Sequence, residues 1–150
     1  MQKESMTMTT EQNKAIVRGF YQAFEANDQA SLNELLAPDL EAYSHAAPGP
    51  QDRVAHLQGI SGWNATLSET RFTIEDQIAE GDRVATRVTL RAVHSGGDFQ
   101  GLPPTGKRIA VSGISIERIK DGKIVERRVD SDWWGMMQQL GLIPTPQLAR

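Results

Sequence analysis

Two aspartates, Asp130 and Asp132, stand two residues apart at the head of the segment DSDWWGMMQQLG (130–141), directly before Trp133 and Trp134. A carboxyl group held among apolar side chains is harder to ionise than in water, so it can exchange a proton near neutrality. That makes the pair candidates for moving a proton next to a carbonyl group. As metal ligands, the histidines His45, His56 and His94 match no ligand spacing, and no metal is expected. With no cysteine in the chain, disulfides, thiolate zinc sites and a cysteine nucleophile are excluded.

The pair Asp121-Gly122 favours a two-residue hairpin turn, and a regular ladder counted back from it places Lys120 beside Lys123. Continued without interruption, that ladder sets Glu117 opposite Glu126, Ser115 opposite Arg128, Gly113 opposite Asp130 and Val111 opposite Asp132. One face then carries Ile114, Ile116, Val125 and Val129, to be buried against helices or a partner subunit. The other carries Glu126, Arg128, Asp130 and Asp132 beside the small Gly113 and Ser115, leaving a hollow for a ligand. The alternative is that this polar face is simply solvated. Asp132 has a second reading as N-cap of the following helix, where a carboxylate accepts backbone hydrogen bonds and makes a poor general acid. His94, at a strand end, reads as either a structural hydrogen-bonding group or a proton carrier.

Positioning such groups requires an α+β scaffold, and the hydrophobic periodicity supplies one. Thr9 with Gln12 forms a capping box, after which Val17, Phe20, Tyr21 and Phe24 repeat as one helical stripe. Asp28 caps a second short helix through Leu32, Leu35 and Leu36, to be stopped at Pro38. A strand over 40–45 precedes a segment over 51–67 that is helical in part and broken or mobile at Gly59 and Gly62. The period then changes to two, predicting strands over 72–79, 84–94, 108–120 and 123–131 joined as an antiparallel meander. A last helix over 133–140 ends at Gly141, with Pro144 beyond. Tyr21, Phe24, Trp63 and Met137 fall at core or pocket-wall positions and suit a flat polycyclic ligand. The loop GLPPTGK (101–107) lacks P-loop spacing and precedes a strand, so it is a turn.

One domain is expected from 150 residues, with residues 1–8 a flexible tail. The composition, 39% hydrophobic and 23% charged with no membrane-length apolar run, is that of a soluble globule. A formal net charge of -3 with scattered Lys and Arg argues against a nucleic-acid partner and for a small hydrophobic molecule. The N-terminus lacks the apolar stretch of a signal peptide, which together with the missing cysteines makes a cytoplasmic location the expectation.

The strings HSGGDFQGLPPTGKRI (94–109), DGKIVE (121–126) and DWWGMMQQLG (132–141), in this order, resemble the SnoaL-like polyketide cyclase, or ester cyclase, family of the nuclear transport factor 2-like superfamily. The resemblance spans roughly residues 12 to 144. It implies a cone, in which a curved antiparallel sheet wraps a pocket closed by N-terminal helices. It also implies ring closure by an intramolecular aldol step without metal or cofactor, with an aspartate near the end of the last long strand as acid/base. Asp132 matches that aspartate best and Asp130 is the fallback. His94 matches the histidine of a Gly-Thr-His-x-Gly pattern, and His45 falls where the family often has one after its first strand. Two departures stand out: LSETRF (67–72) replaces an aromatic-Pro-Asp element, and Arg128 replaces a tryptophan. An Arg128–Asp130 ion pair inside the pocket would hold that aspartate ionised and favour base behaviour. Glu126, Arg128, Met137, His45, Tyr21, Phe24 and Trp63 are the expected substrate contacts, and a homodimer is the expected assembly. Two alternatives stay open: a ligand-binding module without chemistry, and an epoxide-hydrolase-like activation of water by Arg128, Asp130 and Asp132.

Overall fold

In the computed structural model, which describes residues 8–99 and 101–146, the reciprocal capping box opens helix α1 (Thr10–Ala26). The Thr9 hydroxyl accepts from Gln12 N at 3.1 Å, and Gln12 Oε1 accepts from Thr9 N at 2.8 Å. The expected flexible tail falls, apart from Met8, outside the described residues. Helix α2 (Gln29–Leu35) starts at the Asp28 cap. It ends at Leu35, where the backbone turns extended at Leu36, so strand β1 (Leu36–Tyr43) contains Pro38 instead of following it. Proline is tolerated because β1 is an edge strand of the sheet.

Helix α3 (Arg53–Thr66) runs unbroken through Gly59 and Gly62, contrary to the expected break. Its N-cap Asp52 accepts from Ala55 N, and the buried His56 and Ile60 pin its inner face to the core. That tertiary packing outweighs the roughly 1 kcal/mol by which each glycine disfavours a helix interior. Strands β2 (Leu67–Glu80), β3 (Arg83–His94), β4 (Arg108–Lys120) and β5 (Lys123–Ser131) form the antiparallel meander, and helix α4 (Trp133–Leu140) closes at Gly141 in the left-handed conformation. The curved sheet has the order β1-β5-β4-β3-β2, with β1 joined in parallel to β5.

One irregularity reverses half of the expected register. Lys120 pairs with Lys123 and Ile119 with Ile124, but Arg118 then pairs with Glu126, so Val125 is an extra residue in a β-bulge. Beyond the bulge Glu117 faces Arg127, Ser115 faces Val129, Ile114 faces Asp130 and Gly113 faces Ser131. On β4 Gly113 and Ser115 point inward, as the expected hollow requires, but the isoleucine face expected to be buried is the outer one; on β5 the residues expected beside the hollow point outward. Arg127, Val129 and Ser131 turn to the concave side, whereas Arg128 and Asp130 are exposed. Ile114 and Ile116, expected to be buried, lie 50% and 43% exposed.

Two apolar clusters fill the concavity. One gathers Phe20, Leu32, Leu36, Val84 and Ile124 beneath α1 and α2, and the other gathers Leu67, Ile109, Met136 and Leu140 beneath α4. Between them they leave a cavity.

Candidate active site

The cavity holds about 240 Å³ and takes its walls from α1, α3, α4 and the inner face of the sheet. Because inward residues of a strand recur every second position, Arg127, Val129 and Ser131 line it in succession along β5, over about 13 Å of strand at 3.3 Å per residue. Aromatic side chains form much of the remaining wall. The Phe24 ring meets Phe72 edge-on at 4.9 Å between centroids, Tyr21 lies 4.8 Å from Phe72, and Trp63 is steadied by its indole N–H donating to the Thr70 hydroxyl at 3.2 Å.

A buried polar network sits at the Arg127 end. The Ser115 hydroxyl donates to Glu117 Oε1 at 2.9 Å, which leaves the Tyr21 hydroxyl as donor in its 2.6 Å contact with Ser115 Oγ. Arg127 Nη2 donates to the Tyr21 oxygen at 3.3 Å. Arg127 Nε lies 3.0 Å from Glu117 Oε2, but the N–H does not point along that line, so the contact is between charges. The guanidinium also packs over the Phe20 ring at 4.5 Å. Burial pushes the Glu117 carboxyl up, against the pull of Arg127 and the Ser115 hydrogen bond. Burial likewise raises the Tyr21 phenol, so it stays protonated. His56, stacked on Phe20 with ring planes 6° apart, is lowered to about 3 by burial and by the charge of Arg127. It is neutral at any working pH, and its Nε2 is buried without a partner.

At the other end His45 forms part of the wall, its ring 4.1 Å from the Trp133 ring. Burial lowers its pKa, and the charge of Asp130 acts in the opposite sense. Strand pairing brings these two groups near each other: Tyr43 is registered with Arg128 in the parallel β1 and β5, and His45 and Asp130 each follow two residues later.

The structure therefore sorts the expected site residues. Tyr21, Phe24, Trp63 and His45 line the cavity. Asp130 stands outside it and acts on it through His45. Asp132 is exposed and caps α4, its Oδ1 accepting from Gly135 N at 2.9 Å. His94 is fully buried away from the cavity, with Nε2 donating to the Gly97 carbonyl at 3.0 Å and Nδ1 meeting the Thr105 hydroxyl at 3.2 Å. Met137 packs in the cluster under α4, and its neighbour Met136 takes the wall position, a consequence of the helix phase. Glu126 and Arg128 pair with each other at 3.4 Å on the outer side, and Arg128 rests over the Tyr43 ring at 3.9 Å. The expected Arg128–Asp130 pair inside the pocket and the convergence of Arg128, Asp130 and Asp132 on a water are both corrected by the bulge.

Arg127, Glu117 and His56 were missed as site residues. Glu117 had a readable signal, since its face of β4 is bracketed by Ile109, Val111 and Ile119, all buried. Arg127 had none, because its inward turn depends on the bulge. Among the described residues no cluster of three or more His, Asp or Glu side chains is arranged to hold a metal ion. No described helix is long and apolar enough to cross a membrane.

Comparison with known proteins places this arrangement. Residues 15–140 match the family described as SnoaL-like polyketide cyclase. The chain is 31% identical over 121 residues to the nogalonic acid methyl ester cyclase of Streptomyces nogalater, covering 79% of this chain and 90% of that one. It is 25% identical over 141 residues to the aklanonic acid methyl ester cyclase DauD of Streptomyces sp. (strain C5), covering 88% of this chain and 84% of that one. Among solved structures, IdmH of Streptomyces antibioticus superposes with a TM-score of 0.77 at 34% identity, over 87% of this chain and 99% of that one.

Proposed function

The chain belongs to the SnoaL-like polyketide cyclase family, and from that premise we propose that it closes a ring within a hydrophobic compound bearing several carbonyl groups, by an intramolecular aldol step that needs no cofactor. The observation that carries this reading is the cavity, an apolar chamber with an ionisable imidazole at one end and a guanidinium at the other. Apolar walls select a greasy ligand, and confining a flexible chain brings its two reacting carbons together, which lowers the entropic part of the barrier. The two ester cyclases to which the chain is similar act, by name, on acid methyl esters, which supports a polyketide methyl ester as substrate class.

In such a step a base removes a proton from the carbon next to a carbonyl, and the C–H electron pair becomes an enolate. The enolate carbon bonds to a second carbonyl carbon of the same molecule, whose π pair becomes an alkoxide and takes a proton back. His45 is the candidate proton carrier, because it lines the cavity, burial favours its neutral form, and the Asp130 charge steadies the imidazolium once formed. Asp132, matched to the family aspartate, already spends its carboxylate on a helix cap. A homodimer through the outer face of the sheet is supported by the exposed Ile78, Ile114 and Ile116 and is checked by light scattering.

The test is cyclisation of a polyketide methyl ester by His45→Asn, Asp130→Asn and Asp132→Asn proteins. His45→Asn is expected to lose about 100-fold or more in kcat, the usual scale for a general base. Asp130→Asn should lose less, and Asp132→Asn should stay near the parent rate. A full rate in His45→Asn defeats the assignment, and a loss confined to Asp132→Asn returns the role to that residue.

A further inference from the structure

Arg127 occupies an unusual position for a charged group. It is 6% exposed, yet it belongs to the cavity wall, and the bulge at Val125 is what turns it inward. A guanidinium withdrawn from water is costly unless compensated. Compensation comes from behind, where Glu117 lies on the side away from the cavity and is itself absent from the wall. The remaining contacts hold the plane of the guanidinium: Phe20 lies against it and Tyr21 takes one N–H. Nη1 has no hydrogen-bond partner among the described residues and keeps some exposure, on a side chain that lines the cavity. His56 belongs to the same wall, but its unpartnered Nε2 is sealed and faces no open space. A purely structural ion pair would not need a donor left over on the open side.

We propose that this end of the cavity is an oxyanion site, in which Arg127 binds the anionic oxygen of an enolate or ionised enol of a β-dicarbonyl ligand. Glu117, Ser115 and Tyr21 are positioning residues that keep the guanidinium planar, paired and aimed. The ligand class follows from the donors. A β-dicarbonyl enolate spreads its charge over two oxygens in one plane, and a guanidinium presents N–H groups in one plane to match. The surrounding aromatic wall accommodates the apolar remainder. The inference deepens the cyclase reading and rests on its choice of cavity, but not on which group carries the proton.

Benzoylacetone, an aryl β-diketone whose enol and enolate differ in ultraviolet absorption, serves as the probe. Its enol-to-enolate titration is followed free and with excess protein, for the parent chain, Arg127→Lys, Tyr21→Phe and the double variant Glu117→Gln/Arg127→Met. The double variant removes both charges together, so no lone buried carboxylate threatens the fold, which circular dichroism verifies. The parent chain is expected to lower the titration midpoint by about one pH unit or more, equivalent to about tenfold tighter binding of the enolate than of the enol. Arg127→Lys should keep part of that drop and Tyr21→Phe should reduce it. The double variant should bind the neutral enol with no drop at all. An unmoved or raised midpoint in the parent chain, no saturable binding, or an undiminished drop in the double variant overturns the proposal. Because turnover is not read, failure of the proton-transfer assignment would leave these results untouched.

Discussion

Glu117 Oε2 and Arg127 Nε stand 3.0 Å apart on paired residues of β4 and β5, with side chains 0% and 7% exposed. Removing one member of a buried pair is far more costly than removing both, since it strands a charge in the interior. Arg127→Met is therefore expected to lower unfolding stability by about 3 kcal/mol or more, whereas Glu117→Gln/Arg127→Met lowers it by less. Urea unfolding of both proteins reads the difference. A double variant no more stable than the single one contradicts the view that Glu117 is ionised and held by Arg127.

Asp132 separates capping from chemistry because Asn caps helices about as well as Asp, and Ala does not. Asp132→Ala should cost about 1 kcal/mol, and Asp132→Asn a few tenths at most. Gly135 belongs to the same device, since a Cβ there would run into the Asp132 carboxylate. Gly135→Ala should thus lose stability despite the better helix propensity of alanine, and thermal denaturation of the three proteins orders them.

His56 gives the fold an acid sensitivity of known sign. Its pKa falls from 6.5 to about 3 on folding, so below 6.5 the unfolded chain binds a proton that the folded chain refuses. Its contribution is complete above that value and is lost as pH falls toward 3, by at most about 1.4 kcal/mol per pH unit. His45, also lowered, adds to the slope, while Glu117, raised by burial, opposes it. Comparing the parent chain with His56→Gln isolates the one residue: the stability gap between them should narrow on acidification from pH 7 to 4.5. A gap independent of pH over that window would show that His56 is not kept neutral by the fold.

Gly59 and Gly62 offer matched substitutions on one helix. A Cβ at either meets nothing within 4 Å, and neither has a positive φ. Alanine at each should stabilise the protein by about 0.5–1 kcal/mol. Only Gly59 borders the cavity, so Gly59→Ala should also weaken binding of bulky ligands, while Gly62→Ala leaves binding unchanged. Equal affinities in the two variants would place the ligand elsewhere.

What could be read in the chain was what neighbouring residues decide. The Thr9–Gln12 box, the Asp28 cap, the Asp121-Gly122 turn and the Gly141 terminus are local, and each element expected from them is present. The inward face of β4 was only partly legible, because Ile109, Val111 and Ile119 share it while Ile114 and Ile116, in the opposite phase, pointed to the outer face as the buried one. The continuity of α3 was not, because Ile60 and His56 hold it through contacts that its own glycines do not announce. The inner face of β5 was lost for a similar reason: an extra residue in one strand is defined only by the partner strand. That single displacement moved Asp130 and Arg128 outward and brought Arg127 in. The conflict at Asp132, proton carrier or cap, is met by a carboxylate already bonded to Gly135.

The bulge at Val125 also makes the tolerance of β5 to changes in length sharply uneven. Deleting Val125 would let Ile124 and Glu126 follow one another as plain neighbours opposite Ile119 and Arg118, and every residue after them would keep its side of the sheet. Deleting any residue from 127 to 130 would instead exchange inside for outside along part of the wall. Among chains descended from a common ancestor, a one-residue gap in this strand is thus survivable at the bulge, and a gap beyond it exchanges part of the lining of the chamber.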